Sequence, residues 1–99
     1  MEVKRTAVAG TLESSDCMVT VEPAERGLEI DLDSAVIRQY GKKIMEVAAE
    51  TLDRLDVQNA RVSIVDKGAL DCTIKARVEC AVMRAAEYTG RIGWGGVIK

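Results

Sequence analysis

The feature that most constrains the fold is a pair of helical hydrophobic patterns, one in the middle of the chain and one near its end. In each pattern apolar side chains recur every three or four residues, which places them on one face of a helix. The first set is Val36, Tyr40, Ile44, Val47, Ala48, Leu52 and Leu55. The second helix is predicted from about Leu70 to Tyr88, and its set is Leu70, Ile74, Val78, Ala81, Val82 and Ala85. Two such helices need a common surface on which to bury these faces.

Four short segments have the composition or the alternation of β-strands and can supply that surface. They are Thr6–Leu12, Cys17–Glu22, Leu28–Leu32 and Arg61–Asp66. The polar segment Glu13–Asp16 separates the first two strands, which predicts a hairpin with this segment at its tip. Pro23 is expected to end the second strand, because proline has no N–H to donate to the ladder.

The predicted order is strand, strand, strand, helix, strand, helix, within only 99 residues. This order predicts one α+β domain with two layers: a small antiparallel or mixed sheet of about four strands and two helices packed on one face. Asp33 or Ser34 is expected to cap the first helix, and Gly90 to stop the second. We assign residues 1–90 to the domain. Residues 91–99 hold three glycines and the only tryptophan, and are predicted to be a flexible tail.

The residue types that most often perform catalysis or bind metals are scarce. The chain has no histidine, which removes the commonest general base and metal ligand. Its three cysteines, Cys17, Cys72 and Cys80, lack CxxC spacing, so we expect three reduced thiols and no metal site. Asp71 and Glu79 are predicted to be solvated. No catalytic residues are therefore assigned.

The charge distribution limits the possible partners. A net charge of −2 gives nucleic-acid binding no electrostatic support. No apolar run approaches the ~20 residues of a membrane span, and the N-terminal segment lacks the pattern of a signal peptide, so a cytoplasmic location is expected. Residues 1–33 carry a net charge of −5 and residues 34–99 one of +3. This asymmetry indicates either separate faces for different partners or a solvated acidic sheet edge.

Two serines stand at the predicted hairpin tip. An exposed hydroxyl there is open to modification, and loops on rigid scaffolds often carry function. The alternative is an ordinary polar turn, in which Ser and Asp side chains bind local N–H groups. The residues alone therefore indicate a small α+β domain that serves as a carrier, a binding module or a subunit.

Two separated segments carry a resemblance to a known family. AVAGTLESSD at Ala7–Asp16 and DKGALDC at Asp66–Cys72, with QYG at Gln39–Gly41 between them, resemble the acyl carrier (gamma) subunit of citrate lyase. The likeness covers almost the whole chain. It implies that Ser14 is esterified to a phosphoribosyl-dephospho-coenzyme A group. Ser15 stands where many family members have glycine.

The resemblance also implies a role and partners. The chain would be a non-catalytic carrier that holds acetyl and citryl thioesters while citrate is cleaved to acetate and oxaloacetate. Its partners would be an alpha subunit (acyl transferase), a beta subunit (citryl lyase) and the transferase that attaches the prosthetic group. The alternatives are a non-covalent small-ligand-binding or regulatory α+β module and a purely structural subunit. Ser34 is the second candidate for attachment, because Asp33-Ser34-Ala35 is similar to the Asp-Ser-Leu segment of helical-bundle acyl carriers.

Overall fold

The computed structural model describes residues 1–87, and describes Ile37 and Arg38 by their backbone only. The strands are β1 (Ala7–Gly10), β2 (Cys17–Pro23), β3 (Leu28–Ser34) and β4 (Ala60–Asp66), and the helices are α1 (Ile37–Arg54) and α2 (Asp71–Ala85). The element order is the predicted one. The predicted tail, residues 91–99, lies outside the described residues, and so do residues 88–90.

The four strands form one mixed sheet in the order β1-β2-β4-β3. β2 pairs antiparallel with both β1 and β4, whereas β3 and β4 are parallel neighbours. Parallel neighbours need a crossover connection, and α1 supplies it. The prediction of an α+β fold with a small mixed sheet is thus confirmed.

The core lies between one face of the sheet and the two helices. Alternate strand residues face it, and the register places Val19 beside Ile64 and Val21 beside Val62. α2 packs on β1 and β2, while α1 packs on β3. Apart from Gly41, Thr51, Asp66 and Glu79, the buried residues among 1–87 have aliphatic, cysteine or methionine side chains.

The predicted start of α1 and the predicted end of α2 are wrong, and the expected stop at Gly90 lies outside the described residues. α1 begins at Ile37, after Val36, and no side chain caps it. The reason is that β3 continues through Ser34, whose hydroxyl donates to Asp66 Oδ2 at 2.8 Å and accepts the Val36 N–H at 3.1 Å. α2 ends at Ala85 rather than Tyr88, because the backbone turns there and Glu87 has a φ of 56°.

Three burial predictions are also wrong. Tyr40 and Leu70, predicted to be buried, are 55% and 70% exposed. Both lie at the N-terminal ends of their helices, and no element within residues 1–87 covers them. Glu79, predicted to be solvated, is 1% exposed, because its carboxylate accepts a hydrogen bond from Arg54 Nη2 between the two helices.

The outer surface of β3 accounts for much of the negative charge in the first third of the chain. Glu29, Asp31 and Asp33 alternate along this edge strand and are all exposed. Arg61 on β4 pairs with Asp31, and its Nη2 lies 3.2 Å from Asp31 Oδ2. The charge asymmetry therefore includes a solvated acidic sheet edge, as one of the two interpretations predicts. Among residues 1–87 there is no helix whose length and apolarity would let it cross a membrane.

Candidate functional site

The candidate site is the loop Thr11–Asp16, which joins the antiparallel strands β1 and β2 as the sequence predicts. Ser14 and Ser15 are both exposed on this loop. Ser34, the second candidate, is only half-buried, but its hydroxyl is engaged with Asp66 and Val36. The structure thus separates Ser34 from the loop serines, both in place and in hydrogen bonding.

The Asp16 carboxylate holds the shape of the loop. Its Oδ2 accepts a hydrogen bond of 2.7 Å from the Thr11 hydroxyl, and its Oδ1 accepts one of 2.8 Å from the Cys17 N–H. The Thr11 hydroxyl accepts the Glu13 N–H at 3.2 Å, and the Asp16 N–H donates to the Glu13 carbonyl at 3.2 Å. The backbone on both sides of Ser14 is therefore held by local hydrogen bonds.

Arg77 on α2 binds both oxygens of the Asp16 carboxylate. Its Nε donates to Asp16 Oδ1 at 3.0 Å and its Nη2 to Oδ2 at 2.9 Å, which is the two-pronged geometry of a strong Arg–carboxylate pair. The Arg77 guanidinium and the Thr11 hydroxyl hold the pKa of Asp16 well below its usual range, although burial opposes them. Asp16 is therefore an anion at neutral pH, and its charge is offset by Arg77.

The turn between β4 and α2 is hydrogen-bonded to the loop through backbone atoms. The Ser15 N–H donates to the Lys67 carbonyl at 2.9 Å, and the Lys67 N–H donates to the Asp16 carbonyl at 2.9 Å. These bonds continue the β2–β4 ladder one step beyond the Cys17–Asp66 pair. The loop is thus an extension of the sheet, so its tip has a defined position relative to the β4–α2 turn.

Two residues in and beside the loop, Gly10 and Ser15, have positive φ angles, which favour glycine. Gly10 has a φ of 95°, and a Cβ there would overlap the Cys17 carbonyl oxygen, so only glycine fits. Ser15 has a φ of 65°, a left-handed conformation in which a side chain is strained. A glycine at this second position would meet no such strain.

Cys17, the cysteine next to the loop, is unreactive. Cys17 is fully buried, and burial, with the nearby Asp16 and Asp66 carboxylates, raises the pKa of its thiol to about 11. Because the thiolate is the reactive form, this thiol is inert at neutral pH. Cys72 is exposed and Cys80 is partly exposed, and all three thiols are free. Residues 1–87 contain no cluster of His, Cys, Asp or Glu side chains that could hold a metal ion.

Sequence reasoning did not identify two residues that shape the site. Arg77 lies 61 positions from Asp16, and only the packing of α2 on the hairpin brings them together. Asp66 is buried, and its Oδ1 accepts the Ala69 N–H at 2.9 Å, which fixes the turn that carries Lys67. The Asp-Lys-Gly sequence signals that turn, but it does not reveal the tertiary contacts to Ser34 and to the loop.

Comparison with known proteins identifies the family. A family model described as the malonate decarboxylase delta subunit (MdcD), an acyl carrier protein, matches residues 4–85. The citrate lyase acyl carrier protein of Treponema denticola is 54% identical over 87 residues, which span 88% of this chain and 99% of the relative. That of Escherichia fergusonii is 53% identical over 98 residues, which span 98% of this chain and all of the relative (100%).

A solved structure shares the fold at lower sequence identity. One chain of a Pseudomonas malonate decarboxylase hetero-tetramer in complex with malonate matches with a TM-score of 0.74 and 21% identity, over 84% of this chain and 86% of that one. This likeness shows the fold alone. Together with more than half-identical relatives over almost the full length, it leaves one assignment: the chain belongs to the citrate lyase acyl carrier protein family.

Proposed function

We propose that this protein is the acyl carrier subunit of a citrate lyase and that Ser14 is the residue to which phosphoribosyl-dephospho-coenzyme A is esterified. When bound, this group supplies a terminal thiol that holds acetyl and citryl thioesters while citrate is cleaved to acetate and oxaloacetate. The observation that carries the proposal is an exposed hydroxyl on a loop whose two flanks are hydrogen-bonded into the fold.

The residues around Ser14 fit an ester-linked group. The hydroxyl is exposed, so the active site of a modifying enzyme can reach it, and the bonds of Asp16 to Thr11, Cys17 and Arg77 keep the loop in one shape. A fixed loop costs little conformational entropy when a partner binds it. Ser34 lacks this accessibility, because its hydroxyl already bonds Asp66.

The same features favour a carrier that performs no chemistry of its own. The chain has no histidine, and the carboxylate next to the serines is held as an anion by Arg77 and is committed to four hydrogen bonds. The Asp16 carboxylate is therefore poorly suited to act as a general base for either hydroxyl. We assign catalysis to an alpha acyl transferase and a beta citryl lyase subunit, and loading of the group to a separate transferase.

Replacement of the two serines in turn tests this function. In cells that assemble the complete citrate lyase, we expect Ser14→Ala to abolish citrate cleavage, because the group has no attachment point. Ser15→Gly, the matched control, removes the other hydroxyl and suits the local φ, so activity should be retained. A carrier that binds its ligand without a covalent bond would keep full activity in Ser14→Ala, and that result would refute the proposal.

A further inference from the structure

An apolar groove lies between the N-terminal ends of the two helices. Its volume is about 650 Å³, within the range of small-molecule sites. Val36, Tyr40 and Ile44 of the α1 side form one wall, and Leu70 and Cys72 of the α2 side lie opposite. Within residues 1–87 no other element covers it.

Two side chains of the groove are more exposed than the hydrophobic pattern of their helices predicts. Tyr40 and Leu70 stand in the apolar stripes of their helices, yet they are 55% and 70% exposed. Adjacent exposed apolar side chains usually mark a surface that another group covers. An apolar ligand in the groove would restore the burial that the sequence pattern indicates.

The groove begins beside the loop that carries Ser14. Lys67 exchanges two backbone hydrogen bonds with Ser15 and Asp16, and the next residue, Gly68, lines the groove. The path from Ser14 through Ser15 and Lys67 to Gly68 spans at most about 15 Å between Cα atoms, from two steps along the chain and one backbone hydrogen bond. A group on Ser14 that contains a nucleotide and a pantetheine chain is long enough to cover this distance.

Charged side chains of both signs lie along this path, and the exposed Glu13 stands directly before Ser14. Lys67, whose backbone bonds the loop and whose next residue lines the groove, is an exposed cation on this path. Asp71 is the acidic residue in the groove lining, and Lys43 Nζ lies 3.9 Å from its Oδ2. A lysine ammonium group attracts phosphates. The groove wall is mainly apolar, so it suits the uncharged end of such a group.

We propose that this groove is a resting site for the acetyl-thioester end of the prosthetic group on Ser14, with the phosphates of the group beside Lys67. The inference rests on the proposed attachment at Ser14. Tethering gives an effective concentration in the mM range, so weak binding suffices to fill the groove between visits to partner enzymes. Weak binding also lets the arm leave when a partner enzyme takes it up.

Cys72 reports on occupancy, because it is an exposed thiol in the groove wall. The experiment compares full-length protein that carries an acetylated prosthetic group with unloaded protein, after a mass measurement has confirmed loading on Ser14. Iodoacetamide alkylation is followed by peptide mass. At an effective concentration of about 1 mM and a Kd of about 0.1 mM, loading should slow Cys72 alkylation about tenfold. Cys80, on the same helix but outside the groove, should react at an unchanged rate.

A pair of variants separates groove binding from a general effect of loading. Leu70→Glu places a charge on the apolar wall at an exposed position and should abolish the protection of Cys72. Leu28→Glu, at a 39% exposed position on β3, should preserve it. Equal Cys72 rates in loaded and unloaded protein would overturn the groove inference and leave the proposed function intact. Failure of the group to attach to Ser14 would instead refute the proposed function itself.

Discussion

The left-handed backbone conformation of Ser15 predicts how substitution at this position changes stability. Its φ of 65° costs a residue with a Cβ roughly 1–2 kcal/mol, and glycine escapes that cost but loses more entropy on folding. We expect Ser15→Gly to stabilise the fold by about 0.5–1 kcal/mol in urea unfolding. Ser14 is not among the residues with positive φ, so Ser14→Gly should be destabilising instead. If Ser15→Gly lowers the free energy of unfolding, the left-handed conformation is wrong.

The Asp16–Arg77 pair predicts how stability depends on pH. The native pKa of Asp16 lies below its unfolded value, so the stabilisation is complete above the unfolded pKa and is lost as the pH falls toward the native one. Asp16→Asn should cost about 2 kcal/mol at pH 7, since it weakens several charge-assisted hydrogen bonds.

The measurement is the free energy of unfolding of both proteins at a series of pH values. The difference between parent and Asp16→Asn should shrink below about pH 4, where Asp16 begins to protonate in the unfolded chain. Asp53→Asn, at an exposed position on α1, serves as the control and should differ little from the parent at any pH. A difference that stays constant from pH 7 to pH 3 would contradict the pairing.

The two helices are joined by a buried ion pair between Arg54 on α1 and Glu79 on α2. The Glu79 side chain is 2% exposed and is paired with Arg54. Arg54→Met should cost about 3 kcal/mol, because it leaves a buried carboxylate without a partner, and a second change, Glu79→Met, should recover most of the loss. Arg61→Met breaks the exposed pair with Asp31 and should cost less. Chemical unfolding of the four proteins would contradict this if Arg54→Met matched the parent.

The elements were predictable where the hydrophobic period was unbroken. Alternation located β2 and β4 to within one residue, because one face of each strand is buried and the other is not. The boundaries of α1 and α2 were not predictable, because tertiary hydrogen bonds decide them: Ser34 bonds Asp66 rather than capping α1. Glu79 looked like a surface residue because its partner, Arg54, is 25 positions away.

The site was predictable only as a position in the chain. The hairpin tip and its two serines followed from polarity and strand alternation, and a family resemblance singled out Ser14. The parts that hold the loop in place were not predictable, since Arg77 and Lys67 reach it only after α2 and β4 have packed. Local sequence patterns contain no information on such contacts between distant segments.

The molecule as a whole combines a packed sheet and two helices with exposed serine hydroxyls on the loop Thr11–Asp16. The sheet and helices fix the loop, and the loop leaves the Ser14 hydroxyl exposed. Mass spectrometry of protein purified under denaturing conditions from a host that assembles active citrate lyase tests whether this hydroxyl carries the prosthetic group. We predict an added mass equal to phosphoribosyl-dephospho-coenzyme A, located on Ser14 by peptide fragmentation, absent from Ser14→Ala and present in Ser15→Gly. Unmodified full-length protein in an active complex, or the same added mass on Ser15 or Ser34, would contradict this assignment.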